Sequence, residues 1–310
     1  MLDLSEHRVC ITGGAGFLGR AVCSVLRARG VGNFSVPRSN DYDLTTEWGT
    51  SHMFHDLKPD VVIHLAAEVG GIGANQKHPG RYFYANMAMG LNVIELAREH
   101  KIRKLIFVST VCAYPHLCPV PFIEDCLWDG YPEETNAPYG IAKRAMGVML
   151  DGYKREYGLA SACLLLANMY GPHDNFSFDS SHVIPAMINR FSEAVKADAG
   201  FVECWGSGRP SREFLYVDDA AEAIVRAAER IDEPRPINIG TGIETRISEL
   251  AETIAGLCGY QGGVIFDSSK PDGQPRRRLD VSRAQQLLGW KANVLLRDGL
   301  AKTVEWYLVR

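Results

Sequence analysis

No stretch of the 310-residue sequence is apolar for long enough to cross a bilayer. The opening residues MLDLSEHRVC carry acidic groups and lack the basic start and apolar core of an export signal, so a cytoplasmic protein is expected. The eight cysteines (Cys10, Cys23, Cys112, Cys118, Cys126, Cys163, Cys204 and Cys258) include no C-x-x-C pair and no nearby histidine pattern. That argues against a zinc site or a disulfide framework and for reduced thiols; no metal is expected. Positive charge is not in excess. A formal net charge of −4 argues against a general binder of nucleic acid or membrane surface, so any anion site must be built locally. Repeats, low-complexity segments and linkers are absent too.

What is present is a globular chain with more length than a single core needs. An apolar fraction of 46% with 23% charged residues is ordinary for a soluble protein, and 310 residues suit one dinucleotide-binding domain with a smaller partner lobe. Strand-like runs at 8–12, 33–36, 60–67 and 104–109 alternate with helix-patterned runs at 18–29 and 86–100, the signature of a parallel sheet covered on both faces. VVIHLAA and KLIFVST are nearly unbroken apolar runs, as interior strands should be. A helix at 139–157 and a strand at 161–167 continue the pattern up to Gly171-Pro172.

Beyond that break the expectations are a loop over GPHDNFSFDSSH, a helix near 183–195, a strand at 212–217, a helix from about 220 capped by Asp218-Asp219, a strand at PINIG and a helix at 247–258. The fold class expected is α/β: a Rossmann-like, doubly wound parallel sheet with a smaller α/β C-terminal lobe for substrate. The first domain would hold 1–171 with about 213–235, and the second about 172–212 and 236–310.

Gly13, Gly16 and Gly19 form G-x-x-G-x-x-G between the strand RVCIT and a helix. Glycines there permit a tight turn and close approach of a pyrophosphate, whose charge is favoured at the helix N-terminus; Phe17 and Leu18 of the same turn are expected beside the cofactor. A strand-to-helix turn with no ligand is the plain reading of such a motif, and the βαβ context argues against it. At the end of the second strand FSVPRSNDYD offers Arg38, a cation suited to a 2′-phosphate, and so NADP(H); Asp41 or Asp43 near the ribose is the competing reading.

Tyr139 and Lys143, four apart at the start of a helix, put phenol and ammonium on one face one turn apart. A lysine cation beside the phenol would favour phenolate and lower its pKa, which suits a general acid/base, although Y-x-x-x-K also occurs on solvated helix faces. Thr110 ends a buried strand, where ligands meet an open α/β sheet; its neighbour Ser109 could serve instead, and either could be merely structural.

Taken in this order, Gly13/Gly16/Gly19, Thr110, Tyr139 and Lys143 resemble the extended short-chain dehydrogenase/reductase family. AAEVGGIGAN, STVCAYP, NMYGPHDNF with SHVIPA, and WGSGRPSREFLYVDD with KPDGQPRR narrow the resemblance to GDP-L-fucose synthases, across most of the chain. That resemblance implies NADPH-dependent conversion of a GDP-4-keto-6-deoxy-hexose by epimerisation at C3 and C5 and reduction at C4. It implies Cys112 and His182 as the acid/base pair of epimerisation, where the plain readings are a buried small thiol and a loop histidine. As residue types, cysteine and histidine titrate within a few units of neutrality, which suits proton transfer at carbons acidified by a 4-keto group.

The same resemblance makes Tyr139 the proton donor to O4, with Thr110 holding that oxygen and Lys143 the nicotinamide ribose. Leu166, Ala167, Asn168, Met169 and His182 would line the cofactor pocket, and Arg190, Trp205, Arg212 and Asp272 would bind the GDP-sugar. The sequence departs from the family pattern at Thr110 (serine), Ala15 (often arginine) and Ala167 (commonly proline). A homodimer is implied, with apolar positions in 86–97 and 145–153 as candidates for its interface. Alternatives are an epimerase that does not reduce, an enzyme for a related GDP-4-keto sugar of colitose or heptose type, and a Rossmann binding module without chemistry.

Overall fold

The computed structural model describes residues 1–177, 180–270 and 272–310. Phe178 and Asp179 of the expected GPHDNFSFDSSH loop, and Pro271 of the KPDG segment, lie outside the described residues. The first half alternates strands and helices: β1 (Val9–Thr12), α1 (Phe17–Ala28), β2 (Phe34–Ser35), α2 (Glu47–Leu57), β3 (Val61–His64), α3 (Ile72–Lys77), α4 (Pro79–Glu99), β4 (Lys104–Thr110), α5 (Ala137–Tyr157) and β5 (Ser161–Leu166), with α2 and α3 beyond the expected helices. There follow β6 (Asn168–Tyr170), α6 (Val183–Lys196), β7 (Phe201–Trp205), β8 (Ser211–Tyr216), α7 (Val217–Arg230), β9 (Pro236–Ile239), β10 (Glu244–Arg246), α8 (Ile247–Leu257), β11 (Gly263–Asp267), α9 (Ser282–Leu288) and α10 (Leu296–Leu308).

Six strands form one parallel sheet in the order β2-β1-β3-β4-β5-β9. The chain leaves β1 for β2 on one side and for β3 on the other. A crevice therefore opens between the C-terminal ends of β1 and β3, where ligands bind in open α/β sheets. The apolar runs are sorted residue by residue: Val9, Ile11, Val61, Ile63, Ile106 and Val108 face a core shared with α1 and α7. Cys10, Val62, Leu105 and Phe107 face the core of α2, α4 and α5. This alternation is what a strand buried on both faces must show.

The smaller lobe packs α6, α8 and α10 with the sheet β10-β8-β6 and the parallel pair β11-β7 around Ile188, Phe191, Leu250, Ile254 and Leu300. The expected boundary at 236 differs from what is observed. β9 pairs in parallel with β5 in the large sheet, and Ala284, Leu288 and Trp290 join the large core, because β5 offers an open edge and PINI is apolar enough to be buried there. The helix expected from about 220 begins at Val217, and Asp218-Asp219 do not cap it. Asp219 instead accepts the backbone N–H groups of Asn293 (3.1 Å) and Val294 (2.9 Å), tying the later chain to α7. Among the described residues no helix is long and apolar enough to cross a membrane, and no cluster of His, Cys, Asp and Glu could hold a metal ion.

Candidate active site

A cavity of about 1190 Å³ lies along the C-terminal ends of the large sheet and extends to the smaller lobe. All the residues expected from sequence to bind or react line it: Gly13, Gly16, Phe17, Leu18, Gly19 and Arg38 at one end, Thr110, Cys112, Tyr139 and Lys143 in the middle with Leu166, Ala167, Asn168, Met169 and His182, and Arg190, Trp205, Arg212 and Asp272 at the other end.

The glycine turn is built as the spacing requires. Gly13 has φ +72°, and a Cβ there would stand 2.7 Å from the Ala66 amide nitrogen; a Cβ on Gly19 would stand 2.3 Å from the Gly13 carbonyl oxygen. Only glycines let α1 sit so close to the turn and β1 so close to β3. Gly16 begins α1 with no side-chain cap, leaving the first amides of the helix to an anion in the cavity. Beneath, the Thr12 hydroxyl lies 2.8 Å from His64 Nδ1, joining the strands that carry the crevice walls. Arg38 is exposed at the rim, whereas Asp43 is engaged by the Thr45 amide (2.9 Å) and hydroxyl (2.7 Å), bonds that hold its carboxyl below the usual range. The glycine turn suits a dinucleotide's pyrophosphate, and Arg38 offers a cation to a 2′-phosphate.

At the end of β4 the Thr110 hydroxyl accepts the Cys112 N–H (3.2 Å), capping the short turn Val111–Ala113 that carries the thiol. Ser109, the competing hydroxyl, is buried and its oxygen has no hydrogen-bond partner among the described residues. Tyr139 and Lys143 project from one face of α5 and are both buried. The lysine was expected to lower the tyrosine's pKa; the phenol is raised instead, by groups other than the lysine. Burial first, and Cys112 second, push the Tyr139 phenol up against an opposing hydrogen bond with Thr110. The Lys143 ammonium donates to the Val108 carbonyl (3.1 Å) and lies 4.9 Å from the Phe107 ring centre, and burial brings its pKa down to about 8. A phenol that stays protonated is the form an acid needs in order to donate to an alkoxide.

His182 occupies the N-cap of α6 and is exposed on the cavity side, where desolvation by the surrounding walls lowers its pKa. Asn168 donates to the Glu213 carbonyl (3.1 Å), which fixes β6 against β8. At the far end Arg190 donates to the Glu203 carbonyl (2.8 Å) and lies over the half-exposed Trp205 ring at 5.8 Å. Arg212 donates to the Ser211 (2.8 Å) and Asp272 (3.1 Å) carbonyls; burial first, then the charge of Arg277, lower its pKa to about 10. The Asp272 carboxylate is held by the Ser207 amide (2.6 Å) and hydroxyl (2.7 Å), which ties it to the WGSG turn that begins at Trp205.

Several lining residues were not foreseen: Glu133, Asn136, Asp174, Gln274 and Arg277. Arg277 was hidden in the run PRRR, where no spacing distinguishes it from its neighbours. Asp174 was read as part of a loop; burial raises it to about 7, and one carboxylate oxygen has no hydrogen-bond partner among the described residues.

The comparisons agree with this geometry. Residues 9–240 match the model of the NAD dependent epimerase/dehydratase family. A GDP-L-fucose synthase of Escherichia coli (strain K12) is 41% identical over 98% of both chains. A GDP-6-OMe-4-keto-L-xylo-heptose reductase from C. jejuni superposes with a TM-score of 0.91 at 29% identity, covering 97% of each chain. A GDP-L-fucose synthetase from Naegleria fowleri bound to NADP superposes at 0.89 with 26% identity, covering 97% of this chain and 94% of that one. With a cavity of this make-up and matches of this extent, the chain belongs to the NAD dependent epimerase/dehydratase family, on the branch of the GDP-L-fucose synthases.

Proposed function

We propose that this protein converts GDP-4-keto-6-deoxy-D-mannose to GDP-L-fucose with NADPH, inverting C3 and C5 and then reducing C4. The observation that carries the reading is the meeting of two proton-transfer sets in one cavity: Tyr139, Thr110 and Lys143 for reduction, Cys112 and His182 for epimerisation. The likeness to GDP-L-fucose synthases over 98% of the chain supports the choice of substrate.

The glycine turn and Arg38 would hold NADPH by its pyrophosphate and 2′-phosphate, and the cofactor would supply the hydride. The protein does the rest. The α1 amides take the pyrophosphate and Lys143 the ribose hydroxyls, while Leu166, Asn168 and Met169 wall the nicotinamide. Arg190, Arg212 and Asp272 face the GDP-sugar, and Trp205 presents a flat ring to a base or sugar face. Cys112 and His182 stand as base and acid: a proton leaves C3 or C5, the enolate is stabilised through the 4-keto oxygen, and a proton returns on the opposite face. When C4 is reduced, Tyr139 gives its proton to O4 while Thr110 holds the oxygen, and the raised pKa keeps the phenol charged with its proton until then.

The enzyme is proposed to act in the cytoplasm as a homodimer through the outer faces of α4 and α5, where Tyr84, Leu91 and Val148 are exposed; a monomer by light scattering contradicts that. The activity is tested by mixing protein, NADPH and GDP-4-keto-6-deoxy-D-mannose and identifying the product. GDP-L-fucose with equimolar loss of NADPH is expected. Turnover only of a GDP-4-keto-heptose would overturn the substrate assignment.

A further inference from the structure

Three consecutive arginines follow Pro275, and the fold sends them to different places. Arg276 pairs with Glu244. The Nε of Arg278 is buried without a partner among the described residues. Arg277, only 7% exposed, turns into the cavity, where its Nη1 donates to Cys112 Sγ at 3.5 Å. Sulfur is a weak acceptor as a thiol and a strong one as a thiolate, so this contact gains strength when Cys112 gives up its proton.

The guanidinium is anchored at a second point. Its Nε donates to Gln274 Oε1 at 2.8 Å, and Gln274 Nε2 donates to the His116 carbonyl at 2.7 Å and more weakly to that of Pro115 at 3.4 Å. Those carbonyls belong to the segment that continues directly from the Cys112 turn. The Arg277 backbone N–H is held by the Ser211 carbonyl at 3.2 Å. Arg277 is thus fastened both to β8 of the smaller lobe and to the segment carrying the thiol, which fixes where Sγ points. Glu133, itself bound by Thr135 and Asn136, is the carboxylate on which the Arg277 charge acts.

We infer that Arg277 is a positioning residue for Cys112, holding the sulfur through a fixed fork when it exchanges a proton with C3 or C5, and so serves epimerisation more than reduction. In the balanced step the C–H bond breaks, its electron pair passes into the enolate, and the proton bonds to sulfur; the Arg277 bond weakens as the thiol forms and strengthens again when the thiolate is restored. The inference rests on the proposed role of Cys112, while the contact itself is testable without substrate.

Arg277→Met is compared with the parent in three assays: deuterium uptake at C3 and C5 in heavy water, NADPH oxidation with the 4-keto sugar already inverted at both carbons, and alkylation of Cys112 by iodoacetamide read by peptide mass spectrometry. The turnover of exchange should fall on the order of 100-fold, the cost of losing alignment at a reacting group, and by at least roughly tenfold more than hydride transfer. Alkylation of Cys112 in the free protein should slow by about tenfold. Arg277→Lys, which keeps the charge but not the fork, should recover part of the exchange turnover. If Arg277→Met does not fold, Gln274→Leu, which removes only the anchor, should move the same readings in the same direction. Equal losses of exchange and reduction, or unchanged alkylation, would overturn the inference. A parent protein that takes up no deuterium contradicts the proposed function instead, and alkylation then still decides the contact.

Discussion

His64 ends β3 with 1% exposure, bonded to Thr12 and stacked on Phe107 at 5.6 Å, under the crevice that faces the glycine turn. Burial, and then the nearby Lys143 charge, lower its pKa from 6.5 to about 3. In the unfolded chain the imidazole binds a proton below 6.5, whereas the folded one stays neutral until about 3. Its contribution is therefore complete above 6.5 and is lost as pH falls toward 3. The slope is about 1.4 kcal/mol per pH unit, or about 2 kcal/mol by about pH 5. Urea unfolding of the parent and of His64→Gln at about pH 8 and pH 5 isolates this one proton from the other titrating groups. The parent should lose about 2 kcal/mol more than the variant on acidification. Identical losses would refute the claim that a neutral His64 holds β1 to β3.

Tyr139→Phe should reduce hydride transfer by roughly 10²–10⁴-fold while leaving deuterium uptake at C3 and C5 largely in place, as mass and NMR of the product would show. Gly19→Ala places a Cβ 2.3 Å from the Gly13 carbonyl oxygen; about 1–3 kcal/mol of strain should appear as a lower melting temperature or weaker NADPH binding by calorimetry. Because Lys143 titrates near 8, the KM for NADPH should rise as pH increases through that value and its ammonium is lost; a flat profile in Lys143→Met is the control. Arg38→Ala should raise the KM for NADPH and leave that for NADH nearly unchanged.

How much of this was legible in the sequence follows from how local each signal is. The alternating strands and helices and the G-x-x-G-x-x-G turn are set by neighbours along the chain, and they appear where the pattern put them. Tyr139 and Lys143 are set by helix period and share a face. What spacing could not show is anything decided by burial or by distant chain. That Tyr139 is raised and not lowered depends on desolvation first and then on Cys112, which lies 27 residues earlier in the chain. That 236–239 returns to the large sheet depends on the open edge of β5. Asp219 looks like a cap in sequence, but its partners are Asn293 and Val294, more than seventy residues away. Arg277 reaches Cys112 across 165 residues of chain, and no local feature of PRRR announces it.

The most direct test of the whole account is to run the reaction in heavy water with ordinary NADPH and read the product by NMR. GDP-L-fucose carrying deuterium at C3 and C5 and protium at C4, with one NADPH consumed for each product, is the predicted result. Deuterium uptake without NADPH oxidation, or reduction without deuterium at either carbon, would contradict the claim that one cavity performs both halves.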